Sequence, residues 1–172
     1  MSRAHFARVP SLPTRIGDND GMARRTVRRK ATTTRIDDAA PCPCGLGRPY
    51  GECCALAHRG RPPATADALM RSRFTAFVLD DVAYTLRSWH PETRPADVEP
   101  DPGLRWTRLE ILDSTGGGLF DAEGTVEFRA HYRDGGRPGD MHERSRFVRH
   151  DGSWVYWGPV LAPSLLRGGD PA

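Results

Sequence analysis

The hydrophobic pattern becomes regular at residue 66, where apolar side chains begin to recur at the three- and four-residue spacing of a helix. It predicts a helix over residues 66–79, with Thr65 as its N-cap. Arg73 falls on the apolar face of this helix, three residues after Met70. A second helix is predicted from about residue 80, and it ends before Pro91 because proline disfavours a helical conformation in the preceding residue.

After residue 105 the pattern changes to the alternation of every second residue that is typical of strands. Four strands are predicted, over residues 106–113, 125–133, 141–150 and 153–157. Asp151-Gly152, between the last two strands, is a strong signal for a type I′ hairpin turn, and residues 113–118 and 134–139 are further predicted turns. Helices followed by antiparallel strands predict an α+β fold, with the helices packed on one face of the sheet.

The alternation also predicts which polar side chains point toward the helices. The inner face of the second strand comprises Val126, Phe128, Ala130 and Tyr132, whereas His131 points outward. In the third strand Glu143 and Ser145 share a face with Phe147, the best core candidate, and His142 lies opposite. A buried carboxylate is costly unless it is paired. Arg73 is a possible partner, and the tyrosines at 132 and 156 could supply hydroxyls to the same space.

These residues permit two interpretations. Arg73, Tyr132, Glu143, Ser145 and Tyr156 could line an inner ligand pocket, with Glu143 as a general base and the tyrosines as donors to a developing oxyanion. Alternatively, Arg73 and Glu143 form a buried structural pair that fixes the first helix against the sheet. The structural pair is favoured, because structural ion pairs mimic active sites and no second catalytic acid is evident. No catalytic residue is assigned.

The charge distribution argues against nucleic-acid binding by the folded part. Residues 1–40 hold nine Lys and Arg against four Asp, whereas the rest of the chain holds sixteen basic and eighteen acidic residues. The net charge of +3 therefore belongs to a basic leader, predicted to be disordered. Only its run at 23–30 suits an anionic partner, and Met22 is an alternative start of translation. No apolar run reaches the roughly 20 residues needed to span a membrane, and no secretory signal is present.

All four cysteines of the chain lie between residues 42 and 54, within P-C-P-C-G-L-G-R-P-Y-G-E-C-C. Cys42, Cys44, Cys53 and Cys54 could bind one zinc ion tetrahedrally, leaving no position open for water, so the zinc would be structural. A pair of disulfides would suit a secreted protein, and a redox pair would use C-x-x-C spacing; zinc is favoured over both. His58 is an alternative ligand in place of one thiolate. Metal-binding, reduced cysteines indicate the cytoplasm.

The cysteine segment resembles the SEC-C motif, which also occurs at the C-terminus of the SecA translocation ATPase. The blocks A-D-A-L-M-R-S-R-F-T-A-F-V and H-E-R-S-R-F-V-R-H-D-G-S-W-V-Y, which follow it in the same order, resemble the YchJ family of small bacterial proteins. The resemblance implies a zinc knuckle joined to a cone-shaped domain of the nuclear-transport-factor-two-like kind, with a curved antiparallel sheet. It also implies contact with another protein or a ribosome-associated partner, but supplies no reaction.

The expected organisation is a leader over 1–40, a zinc knuckle over 41–60, a cone-shaped domain over 62–160 and a flexible tail over 161–172. The favoured function is an adaptor that binds a partner protein through the knuckle. The alternative is a small-molecule binder, or an enzyme of the lyase, isomerase or hydrolase type, that uses the inner pocket. A homodimer through the outer face of the sheet is possible. Removing the zinc is expected to disorder the knuckle while the rest of the fold survives.

Overall fold

The computed structural model of the chain describes residues 33–160. Its elements in chain order are a 3-10 turn at Tyr50–Glu52, α1 at Cys54–His58, α2 at Ala66–Val78, α3 at Val82–Arg87, β1 at Leu104–Gly116, β2 at Glu123–Asp134, β3 at Arg137–His150 and β4 at Ser153–Pro159. The predicted leader lies outside the described residues except for 33–40, and the predicted tail lies wholly outside them.

The four strands form one antiparallel sheet in the order β1-β2-β3-β4. Shifts in register interrupt the β1–β2 ladder after Trp106 and after Ile111, and the β3–β4 ladder after Arg146. Bulges of this kind bend a strand and increase its twist, which accounts for the curvature of the sheet. With the helices on its inner face, the sheet confirms the predicted α+β fold.

Several local predictions are confirmed, but two predicted turns fall partly within strands. Thr65 caps α2, its Oγ1 accepting a hydrogen bond from the backbone N–H of Ala68 at 3.1 Å. Asp151 and Gly152 have φ angles of 49° and 76°, as a type I′ turn requires. Strand pairing, however, extends β1 to Gly116 and begins β3 at residue 137, so parts of the predicted turns at 113–118 and 134–139 belong to strands.

The main core lies between α2 and the inner face of the sheet. Leu69, Met70 and Phe74 of α2 are buried there. The predicted inner residues of β2 are confirmed, since Val126 and Phe128 are almost wholly buried. Burial of apolar side chains such as these stabilises a fold by roughly 25 cal/mol for each Å² removed from water.

A second layer of packing covers the other side of α2. The knuckle, defined as residues 41–60, contributes its cysteines, Tyr50 and Ala55 to a cluster that also includes Leu79, just after α2. Ala57 of α1 packs with Ala76 of α2 and Tyr84 of α3. Helix α2 therefore lies between the knuckle and the sheet, and both of its sides are buried.

The turn between β1 and β2 packs against the start of α2 at very close range. The backbone N–H of Ala66 donates to the carbonyl oxygen of Gly117 at 2.9 Å. A Cβ atom on Gly117 would lie 2.6 Å from the Cβ of Ala66, and one on Gly124 would lie 2.4 Å from the Cα of Gly117. Glycine is therefore required at both positions, because the backbones approach too closely for a side chain.

Candidate functional site

The four cysteine thiols converge on one point. Their Sγ atoms all lie within 4.8 Å of one another, and Cys44 Sγ is 3.5 Å from Cys53 Sγ. Four sulfur atoms at about 2.3 Å from a central zinc would be about 3.8 Å apart. All four cysteines are free thiols. The cluster is therefore compatible with a tetrahedrally bound metal ion. The alternative prediction of two disulfides is wrong, because none of the four cysteines is disulfide-bonded.

Local hydrogen bonds close the loop that brings the thiols together. The N–H of Cys42 donates to the carbonyl oxygen of Arg48 at 2.9 Å, and the N–H of Gly45 donates to that of Cys42 at 3.2 Å. Gly45 adopts a φ angle of 82°, in the left-handed region that glycine reaches without a steric penalty. The chain then continues through the 3-10 turn into α1, which starts at Cys54.

Hydrogen bonds among three of the thiols shift their pKa values in opposite directions. Hydrogen bonds from Cys44 and Cys54 lower the pKa of Cys42. The hydrogen bond with Cys42 raises the pKa of Cys44 to about 12, and hydrogen bonds with Cys42 and Cys44, reinforced by burial, raise that of Cys54. A bound cation would lower the pKa of all four thiols, because its positive charge stabilises every thiolate at once.

His58 is not positioned as a ligand. Its Nε2 lies 2.9 Å from the carbonyl oxygen of Ser72, so Nε2 carries the proton and donates. Its Nδ1 then accepts from the Tyr50 hydroxyl at 2.9 Å. Burial lowers the pKa of His58, which favours this neutral form. Both ring nitrogens form hydrogen bonds, so His58 links the knuckle to α2. The four thiols are therefore the candidate metal ligands.

The outer surface of the knuckle is partly apolar. The sequence predicts that Tyr50 and Leu56 both pack over the metal loop. Tyr50 is buried in the thiol cluster, but Leu56 is not. Leu56 is 37% exposed on α1, and Leu46 is 49% exposed at the tip of the loop. The expectation that Leu56 packs over the metal loop is therefore wrong, because α1 directs Ala55 and Ala57 inward instead.

On the inner side of α2, Arg73 is only 2% exposed. Its Nη1 donates to the carbonyl oxygen of Thr85 at 2.9 Å and to Ser88 Oγ at 2.6 Å. Its Cζ lies 4.4 Å from the ring centre of Tyr156 and 5.0 Å from that of Trp89. Burial lowers the pKa of Arg73 to about 10, so the guanidinium is still charged at neutral pH.

Glu143 is held by two hydroxyl groups. Its Oε1 accepts from Ser145 Oγ at 2.6 Å and from the Tyr156 hydroxyl at 3.2 Å. No ion pair between Arg73 and Glu143 is formed among residues 33–160. The predicted direct pair between these two side chains is therefore wrong. The ring of Tyr156 stands between the two groups and contacts both.

Tyr132 is separated from this group along the strand. It pairs with Gly139, whereas Glu143 pairs with Phe128, four residues earlier in β2. At about 3.4 Å per residue, this places Tyr132 roughly 13 Å further along the sheet. Its ring packs against Trp106 at 5.5 Å between ring centres. Of the five residues proposed for an inner pocket, four are brought together and Tyr132 is not.

Trp89 belongs to the group but was not selected from the sequence. It follows α3 and packs edge-on against Tyr156, at 4.9 Å between ring centres. Its indole Nε1 is buried and has no hydrogen-bond partner among the described residues. Nothing in its spacing distinguishes it from an ordinary apolar residue near a helix end, so only the three-dimensional contacts identify it.

The outer face of the sheet carries cross-strand charge pairs. Arg144 on β3 bonds to Glu127 on β2 and to Asp113 on β1. His142 Nε2 lies 2.7 Å from Glu127, and His131 contacts Glu110. Both histidines lie on the outer face as predicted, away from the inner group, and this face is predominantly polar.

A cluster of four cysteines beside helices packed on a curved antiparallel sheet defines the class of protein: an α+β domain with a potential metal knuckle at its N-terminal side. The family model described as the SEC-C motif matches residues 40–56, and the model described as "YchJ, middle NTF2-like domain" matches residues 65–159. The chain belongs to the YchJ family.

Relatives with the family designation UPF0225 extend this result. The chain is 57% identical to a UPF0225 protein of Streptomyces coelicolor over 117 residues, which are 67% of this chain and 91% of the relative. It is 52% identical over 116 residues to one of Corynebacterium glutamicum, covering 67% and 92% of the two chains. The solution structure of a SEC-C motif containing protein from Rhodopseudomonas palustris is also similar, with a TM-score of 0.62 and 34% identity, covering 72% of this chain and 99% of that one.

Within residues 33–160, no helix combines the length and apolar character that crossing a membrane would require.

Proposed function

We propose that Cys42, Cys44, Cys53 and Cys54 bind one structural zinc ion, and that the resulting knuckle is the surface through which the protein binds a partner protein. The observation that supports the metal is the convergence of four free thiols within 4.8 Å. Four thiolates complete the coordination of zinc and leave no position for a substrate, which favours a structural over a catalytic ion.

The exposed leucines of the knuckle support the adaptor role. Leu46 lies between the two pairs of cysteines and Leu56 shortly after them, and both present exposed apolar surface. A rigid, metal-clamped loop binds a partner with little loss of conformational entropy on association. Arg48 and Glu52, both exposed, would form a polar rim around such a contact.

Metal content is the first test. Native mass spectrometry of the purified protein should show one zinc per chain, and Cys53→Ser/Cys54→Ser should show none. A protein that retains four reduced cysteines but carries no zinc after growth in zinc-sufficient medium would contradict the proposed metal site.

The adaptor role is tested separately. Leu46→Ser and Leu112→Ser form a matched pair, because Leu112 is 47% exposed on the sheet. Partners recovered by cross-linking and affinity capture should be lost with Leu46→Ser and retained with Leu112→Ser, while both variants keep zinc. Recovery of the same partners with all three proteins would contradict binding through the knuckle.

This proposal treats residues 41–60 as the knuckle and 62–160 as the domain that carries it. Free thiols are compatible with a reducing compartment, and we place the protein in the cytoplasm. Catalysis is not part of the proposal.

A homodimer through the outer face of the sheet is a separate hypothesis. The mass spectrum of the intact protein would test it at the same time.

A further inference from the structure

A buried hydrogen-bond donor without an acceptor lies beside a buried guanidinium on the inner side of α2. The indole Nε1 of Trp89 has no partner among the described residues. All hydrogen bonds that Arg73 forms within residues 33–160 leave from Nη1, so Nε and Nη2 contribute none. The guanidinium Cζ lies 5.0 Å from the Trp89 ring.

Such an arrangement is unusual in a folded protein. Buried tryptophan N–H groups ordinarily find an acceptor, and a buried charge is ordinarily paired. Arg73 is only 2% exposed, and none of the ion pairs formed within residues 33–160 includes it. Unsatisfied buried groups of this kind mark positions that a ligand can complete.

An acceptor of the opposite character lies on the far side of Tyr156. Glu143 receives both of its hydrogen bonds, from Ser145 and Tyr156, at Oε1. Its Oε2 accepts no hydrogen bond from the described residues. Only one phenol ring separates the two groups, since the hydroxyl of Tyr156 contacts Glu143 and its ring face contacts Arg73.

We propose that Arg73, Trp89 and Glu143 together bind a small carboxylate that also carries a hydroxyl or amino group. The ligand carboxylate accepts from Arg73 and from Trp89 Nε1, and its hydroxyl or amino group donates to Glu143 Oε2. Arg73 and Glu143 together are electrically neutral, so a monoanion is held by the buried cation while its donor group offsets repulsion by Glu143. A guanidinium is well suited to a carboxylate because its donors lie in one plane.

A purely structural role for Arg73 explains part of the geometry. Nη1 caps the carbonyl oxygen of Thr85 near the C-terminal end of α3, where a cation is favourable. That role uses one nitrogen of the guanidinium, and it gives no partner to Trp89. The ligand site accounts for the unpartnered N–H of Trp89 and for the Arg73 nitrogens that form no hydrogen bond within residues 33–160.

The test is a nuclear magnetic resonance titration of the zinc-loaded full chain with sodium glycolate, and with acetate as the probe that lacks the hydroxyl. The indole N–H of Trp89 should shift saturably with glycolate. The indole of Trp154 is an internal control, because its Nε1 donates to the carbonyl oxygen of Ala64 at 3.1 Å and should not move.

Three variants separate binding from folding. Trp89→Phe keeps an aromatic ring but removes the donor, and should weaken glycolate binding about tenfold. Glu143→Gln should reduce the preference for glycolate over acetate, since an amide oxygen accepts more weakly than a carboxylate. Trp157→Phe, which alters a ring packed against Arg146, should bind glycolate like the wild type.

The proposal is overturned if Trp89 Nε1 does not shift at tens of millimolar glycolate, or if it shifts only together with Trp154. It is also overturned if a folded Trp89→Phe protein, checked by its amide spectrum, binds glycolate as tightly as the wild type. Both outcomes leave the zinc site and its partner untouched, because they concern the opposite side of α2.

Discussion

At the scale of single residues, His58 connects the knuckle with α2 and does not serve as a metal ligand. Its two ring nitrogens connect Tyr50 of the knuckle with the backbone of Ser72 in α2. The bond to Ser72 requires the proton on Nε2, and the neutral ring then accepts from the Tyr50 hydroxyl at Nδ1. In the protonated ring Nδ1 would become a second donor, and the Tyr50 hydroxyl would have to turn and accept instead.

This arrangement predicts a low pKa for His58. Burial lowers the pKa below the ordinary value of about 6.5. The unfolded chain therefore binds a proton at His58 at a higher pH than the folded chain does, and the free energy of unfolding falls as the pH drops through about 6.5. Titration of the His58 ring protons by nuclear magnetic resonance should give a midpoint below that value. A midpoint above 7 would contradict the neutral, doubly bonded ring.

The individual residues differ in how well the sequence predicts them. The cysteines and Arg73 are identified by spacing alone, since four thiols in one short segment and a charge on an apolar helix face are both conspicuous. Tyr132 and Glu143 share an inner face, yet alternation carries no information on distance along a strand, and they lie far apart. Trp89 has no sequence signal, because its unpaired N–H exists only in the folded protein.

At the scale of elements, the contact between the β1–β2 turn and the start of α2 sets how the sheet meets the helix. Ala66 is held by a backbone hydrogen bond to Gly117, and Gly117 lies directly against Gly124. The sequence predicts this segment as a turn, but it cannot reveal that the glycines are needed for a close backbone approach. Strand ends are also mispredicted, because pairing continues through polar, exposed residues that give no hydrophobic alternation.

Gly124→Ala should lower the free energy of unfolding by about 2–3 kcal/mol, since the new Cβ meets backbone atoms that cannot move aside independently. The Cβ of an alanine at position 124 would lie 2.4 Å from the Cα of Gly117. Gly118→Ala is the control, because its Cβ would approach only a flexible carboxylate, that of Asp121, at 3.3 Å. Urea denaturation of both variants measures the difference. Equal midpoints would show that the turn can move away from α2.

At the scale of the whole molecule, the knuckle and the sheet share α2. The order of helices and strands is sufficient to predict the α+β fold, and the family resemblance supplies the curvature. Neither predicts where the knuckle lies, because its contacts with α2 and α3 are made by small residues such as Ala57 and Ala76 that carry no pattern. The two parts are consequently more closely connected than their separation in sequence suggests.

Removing zinc should therefore affect more than the knuckle. Chelation should abolish hydrogen-exchange protection in residues 41–60 and also reduce it in α2, since Cys42, whose Sγ lies 3.9 Å from Thr75 Oγ1, would no longer cover that helix. Protection in β2 and β3 should change least. Cys53→Ser/Cys54→Ser should reproduce the pattern without chelator. Unchanged protection of α2 after complete loss of zinc would show that the knuckle is independent, as the sequence alone suggests.

The burial of α2 on two sides has a consequence for the mutational history of this protein. Most of its thirteen residues have little room for change, including polar ones such as Ser72, Arg73 and Thr75. A surface helix drifts freely on its solvent side, whereas this one has almost no such side. Any lineage that alters the knuckle must keep α2 compatible with the sheet, so substitutions on its two faces should be inherited together rather than singly.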